Sequence, residues 1–366
     1  MTTRLLMTAD GVGGVWQYAA ELARALRPHG VETVLAVLGP APTADQLSLL
    51  ALADGEGEIA VIHTGLPLDW LSDSPGPVLA AGRAIADLAR DLGADLVQLN
   101  SPTLAAAAHL PVPVIAVAHG CTATWWNAAH GTAPDPAYRW HADLMRAGLL
   151  AANLAVAPSA AFAADLQRTY ALPTAPVAVY NGRASGRAGQ GTPAPHAFTA
   201  GRLWDGVKNT AVLDRAAERL SVPFRAAGPA TGPHGETVSP GHLQLLGTLS
   251  ADALAAELAA RPIFVSATSF EPFGLAVLEA ASAGCALVLS DIATFRELWD
   301  GAAVFVPPRD DATIAAAIEA LLADSDRRES LARAARDRAA RYTPEATAAA
   351  MAARYARLLP ARRAAA

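Results

Sequence analysis

At 366 residues the chain is longer than one comfortable hydrophobic core, so two domains are expected. A charged fraction of 17% against 52% apolar residues excludes a disordered chain, and a formal charge of −6 offers no general attraction for nucleic acid or an anionic membrane. Cys121 and Cys285 alone cannot build a disulfide framework or a cysteine metal cluster, which fits a reducing cytoplasm.

The apolar run that begins at Arg4 stops at Asp10, too short for a signal-peptide core or a membrane span, and reads as a first strand. Apolar, β-branched runs then recur at residues 33–38, 58–62, 95–99, 114–118, 153–157 and 177–180, separated by Ala/Leu/Arg-rich stretches of helical period. Between Gly182 and Pro195 the sequence GRASGRAGQGTPAP has no hydrophobic period and marks a linker and hinge. A second series follows at 196–200, 223–227, 243–246, 263–266, 286–290 and 303–306. Residues 343–359 read as a helix that could pack across the domain junction, and the ARRAAA tail as frayed surface. This alternation predicts α/β architecture with two doubly wound, Rossmann-like domains at 1–185 and 196–342, followed by a terminal helical segment at 343–366. No apolar run reaches spanning length, which leaves only a peripheral membrane contact open.

Ligands of open parallel sheets bind beyond the carboxyl ends of the strands, and several unusual residues fall there. The loop Asp10-Gly11-Val12-Gly13-Gly14 precedes a helix expected near Val15, whose N-terminal amides could receive an anion. Trp16 breaks the dinucleotide fingerprint, which disfavours an oxidoreductase, and glycine turns after strands are also common as plain chain geometry. His119 follows the 114–118 run, where its imidazole could donate a hydrogen bond into a cleft; no other histidine has metal-ligand spacing. Cys121 reads as a small buried thiol. Trp125 and Trp126 could stack on an acceptor ring or simply pack.

Arg202 and Lys208 follow the first strand of the second series, in GRLWDGVKN, and supply two cations suited to a diphosphate leaving group without a metal. The segment SATSFEPFGLAVLE carries the most information. Pro272 suits a first helical turn, which would free the amides of Phe273, Gly274 and Leu275 for sugar hydroxyls or phosphate oxygens. Glu279 lies eight positions beyond Glu271, about 12 Å along a helix axis, a span that fits one carboxylate for the transferred sugar and one for the ribose. Asp324-Ser325-Asp326 imitates a metal-binding motif but sits between helices and reads as a cap.

With these residues in view the chain resembles the family-4 retaining glycosyltransferases over nearly its full length. The resemblance rests on Gly11–Gly14, the Asn181-Gly182 pair, Arg202 with Lys208, and the E-x7-E pair in which Glu271-Pro-Phe-Gly precedes Glu279. It implies a GT-B fold, in which an N-terminal acceptor-side domain and a C-terminal donor domain face a central cleft, and a final helix crosses back to the N-terminal domain. It implies a metal-independent, retaining hexosyltransferase of carbohydrate biosynthesis, with no cofactor beyond the nucleotide diphosphate sugar. A uridine sugar is favoured over a guanosine or adenosine one, although base selection by backbone and shape leaves no side-chain signature. The implied catalytic residues are His119, Arg202, Lys208 and Glu271. The donor-binding set is Gly13, Gly14, Asn181, Arg202, Lys208, Glu271, Phe273, Gly274, Leu275 and Glu279, with Trp16, Trp125 and Trp126 towards the acceptor. The acceptor is a sugar, a lipid-linked intermediate or a small molecule. An epimerase or hydrolase acting on the donor alone, and a non-catalytic sugar-nucleotide-binding scaffold, are the competing readings.

Overall fold

The computed structural model describes residues 2–50, 58–184, 189, 191–233 and 235–359. In chain order the elements are β1 (Thr3–Asp10), α1 (Gly14–Ala25), β2 (Val31–Leu38), α2 (Ala44–Ser48), β3 (Ala60–His63), α3 (Pro75–Asp91), β4 (Leu96–Leu99), β5 (Val114–Val117), α4 (Thr122–His130), α5 (Arg139–Ala151), β6 (Leu154–Ala157), α6 (Ala160–Tyr170) and β7 (Val177–Ala178). There follow β8 (Ala197–Ala200), α7 (Thr210–Glu218), β9 (Phe224–Ala227), β10 (Gln244–Gly247), α8 (Ala251–Ala259), β11 (Ile263–Ser266), α9 (Leu275–Ala283), β12 (Ala286–Ser290), α10 (Ala293–Trp299), β13 (Val304–Val306), α11 (Asp311–Ala323), α12 (Ser325–Ala339) and α13 (Pro344–Leu358). Each run read as a strand in the sequence is one, although 177–180 shortens to the two paired residues of β7.

The chain divides into two compact units. One comprises Met1–Asn127, Gly131–Gly182 and Pro344–Ala366, the other Ala128–His130 and Arg183–Thr343. The final helix α13 therefore belongs to the first unit, although it follows the second in sequence. The linker residues 185–188 and 190, and the ARRAAA tail, lie outside the described residues. Of the linker residues that are described, Arg183 donates its backbone N–H to Tyr342 and Gly189 to Ala283, both within the second unit.

In the first unit the parallel sheet has the order β3-β2-β1-β4-β5-β6-β7, and in the second β10-β9-β8-β11-β12-β13. Both are doubly wound: the order reverses direction at β1/β4 in one and at β8/β11 in the other, where the loops leaving those neighbouring strands flank a crevice. Alternating side chains cover both faces of each sheet. Leu5, Met7 and Ala9 of β1 pack with α1 and with Ala348, Met351 and Tyr355 of α13, whereas Leu6 joins Val78, Ala81 and Ile85 of α3 on the other face. In the second unit Ile263 and Val265 of β11 join one core and Phe264 the other.

Asp324 accepts a hydrogen bond from the Arg327 N–H at 2.9 Å as the N-cap of α12. Among the described residues, no three His, Cys, Asp or Glu side chains are grouped to hold a metal ion, and no helix is long and apolar enough to cross a membrane.

Candidate functional site

In the second unit the loops leaving β8 and β11 are stitched together at the reversal of strand order. The Val207 carbonyl accepts from the Ser269 N–H at 2.8 Å and from Thr268 Oγ1 at 3.0 Å. Asn209, held at a left-handed φ of 54°, donates its side-chain amide to the Ala267 carbonyl at 2.7 Å and to Ser269 Oγ at 2.8 Å. These bonds set the Lys208 ammonium 2.7 Å from Glu271 Oε2, with both side chains about four-fifths buried (23% and 20% exposed). Arg202, on the same loop, donates to buried Asp205 at 2.9 Å and lies over the Trp204 ring, with 54% of its side chain open to solvent. The two cations thus share one loop but hold different carboxylates.

The segment from Glu271 to Glu279 departs from the sequence expectation in one respect. Pro272 and Phe273 form a bend, and α9 begins only at Leu275 with Gly274 as its N-cap. The uncommitted first-turn amides are therefore those of Leu275, Ala276 and Val277, rather than Phe273, Gly274 and Leu275. Gly274 needs a φ of 96° to reverse the chain, and that reversal replaces the continuous helical rise expected between the two glutamates. Phe273 is buried and packs edge-to-face on Tyr342 at 5.6 Å, so only its backbone is available to a ligand. Glu279 sits on the largely buried α9, where Oε1 accepts from Arg183 Nε at 2.6 Å.

Gly274 carries a direct prediction. A Cβ built there would lie 3.1 Å from Phe295 and 3.3 Å from Glu271 Cγ, and the left-handed φ itself costs an L-residue about 1–2 kcal/mol. Gly274→Ala is expected to lower the melting temperature and to cut turnover by displacing Glu271; thermal denaturation and initial rates measure the two effects.

In the first unit the matching crevice lies between β1 and β4. The glycine loop is braced from three sides: Asp10 Oδ1 accepts from the Val12 N–H at 2.7 Å, Asp10 Oδ2 from Trp70 Nε1 at 3.0 Å, and the Gly11 carbonyl from Gln46 Nε2 at 3.0 Å. Gly13, at a φ of 82°, is the N-cap of α1, and Gly13 and Gly14 are exposed. His119 follows β5, stays partly exposed, and places Nε2 3.0 Å from Asn100 Oδ1 and its ring edge-to-face on Tyr18. Burial pushes its imidazole down to about 3. Asn181 is buried at the end of this unit.

Trp16 requires a correction. It is 1% exposed, lies within the α1 core and donates its indole N–H to the Gln46 carbonyl at 3.0 Å, so it braces the glycine loop and presents nothing to an acceptor. Trp125 and Trp126 lie half-buried on α4 and pack edge-to-face, with Trp126 tilted against Tyr138. Cys121 is buried, and that burial raises its thiol above the ordinary value.

Residues 12–183 match the family model described as Glycosyltransferase Family 4, and residues 239–338 match Glycosyl transferases group 1, together well over half the chain. The chain belongs to glycosyltransferase family 4. No curated relative matches this family-4 glycosyltransferase by sequence. Solved structures share its GT-B fold at low identity. Sucrose-phosphate synthase from Thermosynechococcus elongatus is 18% identical with a TM-score of 0.80, over 97% of this chain and 99% of that one. HepE from Anabaena, solved with UDP-glucose, is 17% identical with a TM-score of 0.74, over 97% and 100%. A glycosyltransferase from Rickettsia africae ESF-5 is 17% identical with a TM-score of 0.70, over 98% and 99%.

The sequence reading of this glycosyltransferase missed Arg183, Asn209 and Asn100. Arg183 stood one position after the Asn181-Gly182 pair and looked like linker charge. Asn100 directly follows β4, a position that could have found it, whereas Asn209 directly follows Lys208, nine positions beyond the end of β8.

Proposed function

We propose that this glycosyltransferase moves a hexose from a nucleotide diphosphate sugar to an acceptor hydroxyl with retention of anomeric configuration and without a metal. The observation that carries the reading is the pairing of Lys208 with Glu271 and of Arg183 with Glu279 around α9, at the strand-order reversal of the second unit. Each carboxylate keeps one oxygen outside its ion pair, and an ionised carboxylate is the natural partner of a vicinal diol. Glu271 accepts from hydroxyls of the transferred sugar and Glu279 from the ribose. Lys208 and Arg202, with the first-turn amides of α9, receive the diphosphate. The unit from Arg183 to Thr343 is thereby the donor unit. The first unit, with Gly13, Gly14, His119 and the Trp125–Trp126 pair, serves the acceptor side. A uridine donor is supported by HepE, which was solved with UDP, with UDP and glucose and with UDP-glucose.

The chemistry follows from these placements. The bond between the anomeric carbon and the β-phosphate oxygen breaks through an oxocarbenium-like state, and its electron pair passes to the leaving phosphate. Lys208 and Arg202 stabilise the charge that develops there. The acceptor oxygen attacks from the face the phosphate vacates, and a phosphate oxygen takes its proton. The acceptor is a sugar, a lipid-linked sugar or a small hydroxylated molecule, and the setting is cytoplasmic.

The test pairs binding with stereochemistry. A panel of nucleoside diphosphates and their sugars, assayed with chelator present, should raise the melting temperature for one nucleotide series. Proton NMR of the transfer product should show the anomeric configuration of the donor. An inverted product removes the front-face mechanism, and product from donor alone at the same rate favours a hydrolase or epimerase.

A further inference from the structure

Asn100 stands directly after β4, and its side-chain amide has one allowed orientation. Nδ2 lies 2.7 Å from the Thr8 backbone carbonyl, a group that can only accept, so the amino end faces β1 and Oδ1 faces away. Oδ1 is met by Gln98 Nε2 at 3.1 Å and His119 Nε2 at 3.0 Å. Both must donate to it, since an amide oxygen cannot. With the Gln98 amino group placed there, Gln98 Oε1 faces the Tyr355 hydroxyl of α13, which donates to it. One backbone carbonyl thus sets the direction of every hydrogen bond in a chain that runs from α13 to His119. Gln98, Asn100 and Tyr355 are all buried, so water cannot substitute for a lost partner.

We propose that Asn100 is a positioning residue that holds His119 as the neutral Nε2–H tautomer, leaving its Nδ1 lone pair to accept a hydrogen bond from a substrate sugar hydroxyl, with α13 supporting Asn100 through Tyr355 and Gln98. This deepens the glycosyltransferase reading and rests on it. It also reverses the sense in which the sequence suggested His119 would act: the ring accepts where it was expected to donate. Edge-to-face packing on Tyr18, at 4.4 Å between ring centres, restrains the ring from a second side. Burial keeps the imidazole neutral through the physiological range. Tyr18 of α1 packs against it and Tyr355 of α13 lies beyond Gln98, and burial keeps both protonated. A protonated His119 would offer hydrogens on both nitrogens and lose the acceptor, so tautomer and charge matter together.

Nitrogen-15 NMR of histidine-labelled full-length protein, with the His119 signal assigned by its loss in His119→Gln, reads the tautomer without reference to activity. The expected result is Nε2–H with no titration between about pH 5 and about pH 8. An Nδ1–H tautomer, or a titration inside that range, overturns the proposal in the unmodified protein. Asn100→Ala should release the tautomer and lower kcat about 10-fold or more, while nucleoside diphosphate binding stays unchanged. Asn100→Asp still offers an acceptor to Nε2–H but loses the donor to the Thr8 carbonyl and adds a charge that favours the imidazolium, so its His119 signal should titrate at a higher pH than in the unmodified protein. If Asn100→Ala folds and leaves both tautomer and kcat unaltered, the positioning role is wrong although the glycosyltransferase reading stands. Absence of any sugar transfer by wild type, with the Nε2–H tautomer present, overturns that reading and with it the substrate half of this proposal.

Discussion

Lys208→Ala is expected to reduce kcat about 100- to 1,000-fold, the loss that follows removal of one preorganised group facing transition-state charge. The expectation rests on two consequences of the same change. The proposed diphosphate site loses the Lys208 ammonium, which sits 2.7 Å from Glu271 Oε2. Glu271 also loses the Lys208 ammonium that pairs with it at a four-fifths-buried position, so its carboxylate becomes a repulsive neighbour for the incoming phosphates. Lys208→Met, which keeps the stem and removes the charge, should behave in the same way, and Lys208→Arg should recover little because a planar fork does not replace a point charge on this loop. Arg202→Ala should cost less, since its side chain is more than half exposed and its partner Asp205 belongs to the same loop. Single-turnover rates at saturating donor separate this effect from binding. A Lys208→Ala enzyme within a few-fold of wild type would remove the diphosphate role.

Glu279→Ala should raise the donor KM about 10- to 100-fold with a smaller effect on kcat, because a ribose contact is equally present in ground and transition states. Loss of a charge-assisted hydrogen bond worth about 1.5–3 kcal/mol accounts for that range. Arg183 makes the experiment sharper. Its Nε lies 2.6 Å from Glu279 Oε1, and both side chains are more than four-fifths buried, so removing Arg183 takes from the Glu279 carboxylate the cation it pairs with. Arg183→Ala should therefore weaken donor binding without touching the ribose itself, and the double variant should be less impaired than the sum of the singles. Isothermal titration with the nucleoside diphosphate measures all four corners of the cycle. Additive losses would mean that Arg183 does not act through Glu279.

Much of the fold was legible because its signal is local. Runs such as 263–266 and 286–290 are short, apolar and β-branched, and they are buried on both faces as a parallel sheet requires. The segment from Glu271 to Glu279 was legible for the same reason: Glu271, Gly274 and Glu279 lie within one strand–loop–helix stretch, where spacing carries meaning. Trp16 was misjudged because its position next to a glycine loop suggests exposure, whereas the period of α1 turns it inward onto the sheet. Pro272 was misjudged because proline favours a first turn, yet here Gly274 takes the N-cap two residues later.

The sequence by itself determined the alternation of strands and helices, the family, and which residues follow strand ends, since each depends on neighbours a few positions apart. Strand order is a different kind of information: it depends on which edges pair across 60 or more residues, as Leu5 does with Leu96 and Ala197 with Ile263. Only the tertiary structure decided that Lys208 meets Glu271, that Arg183 leaves the linker to hold Glu279, and that Tyr355 reaches back to Gln98 behind His119. These are hydrogen bonds and ion pairs between residues 63, 96 and 257 positions apart. No local pattern encodes them, because the free energy that selects them comes from burying both faces of each sheet within its own unit.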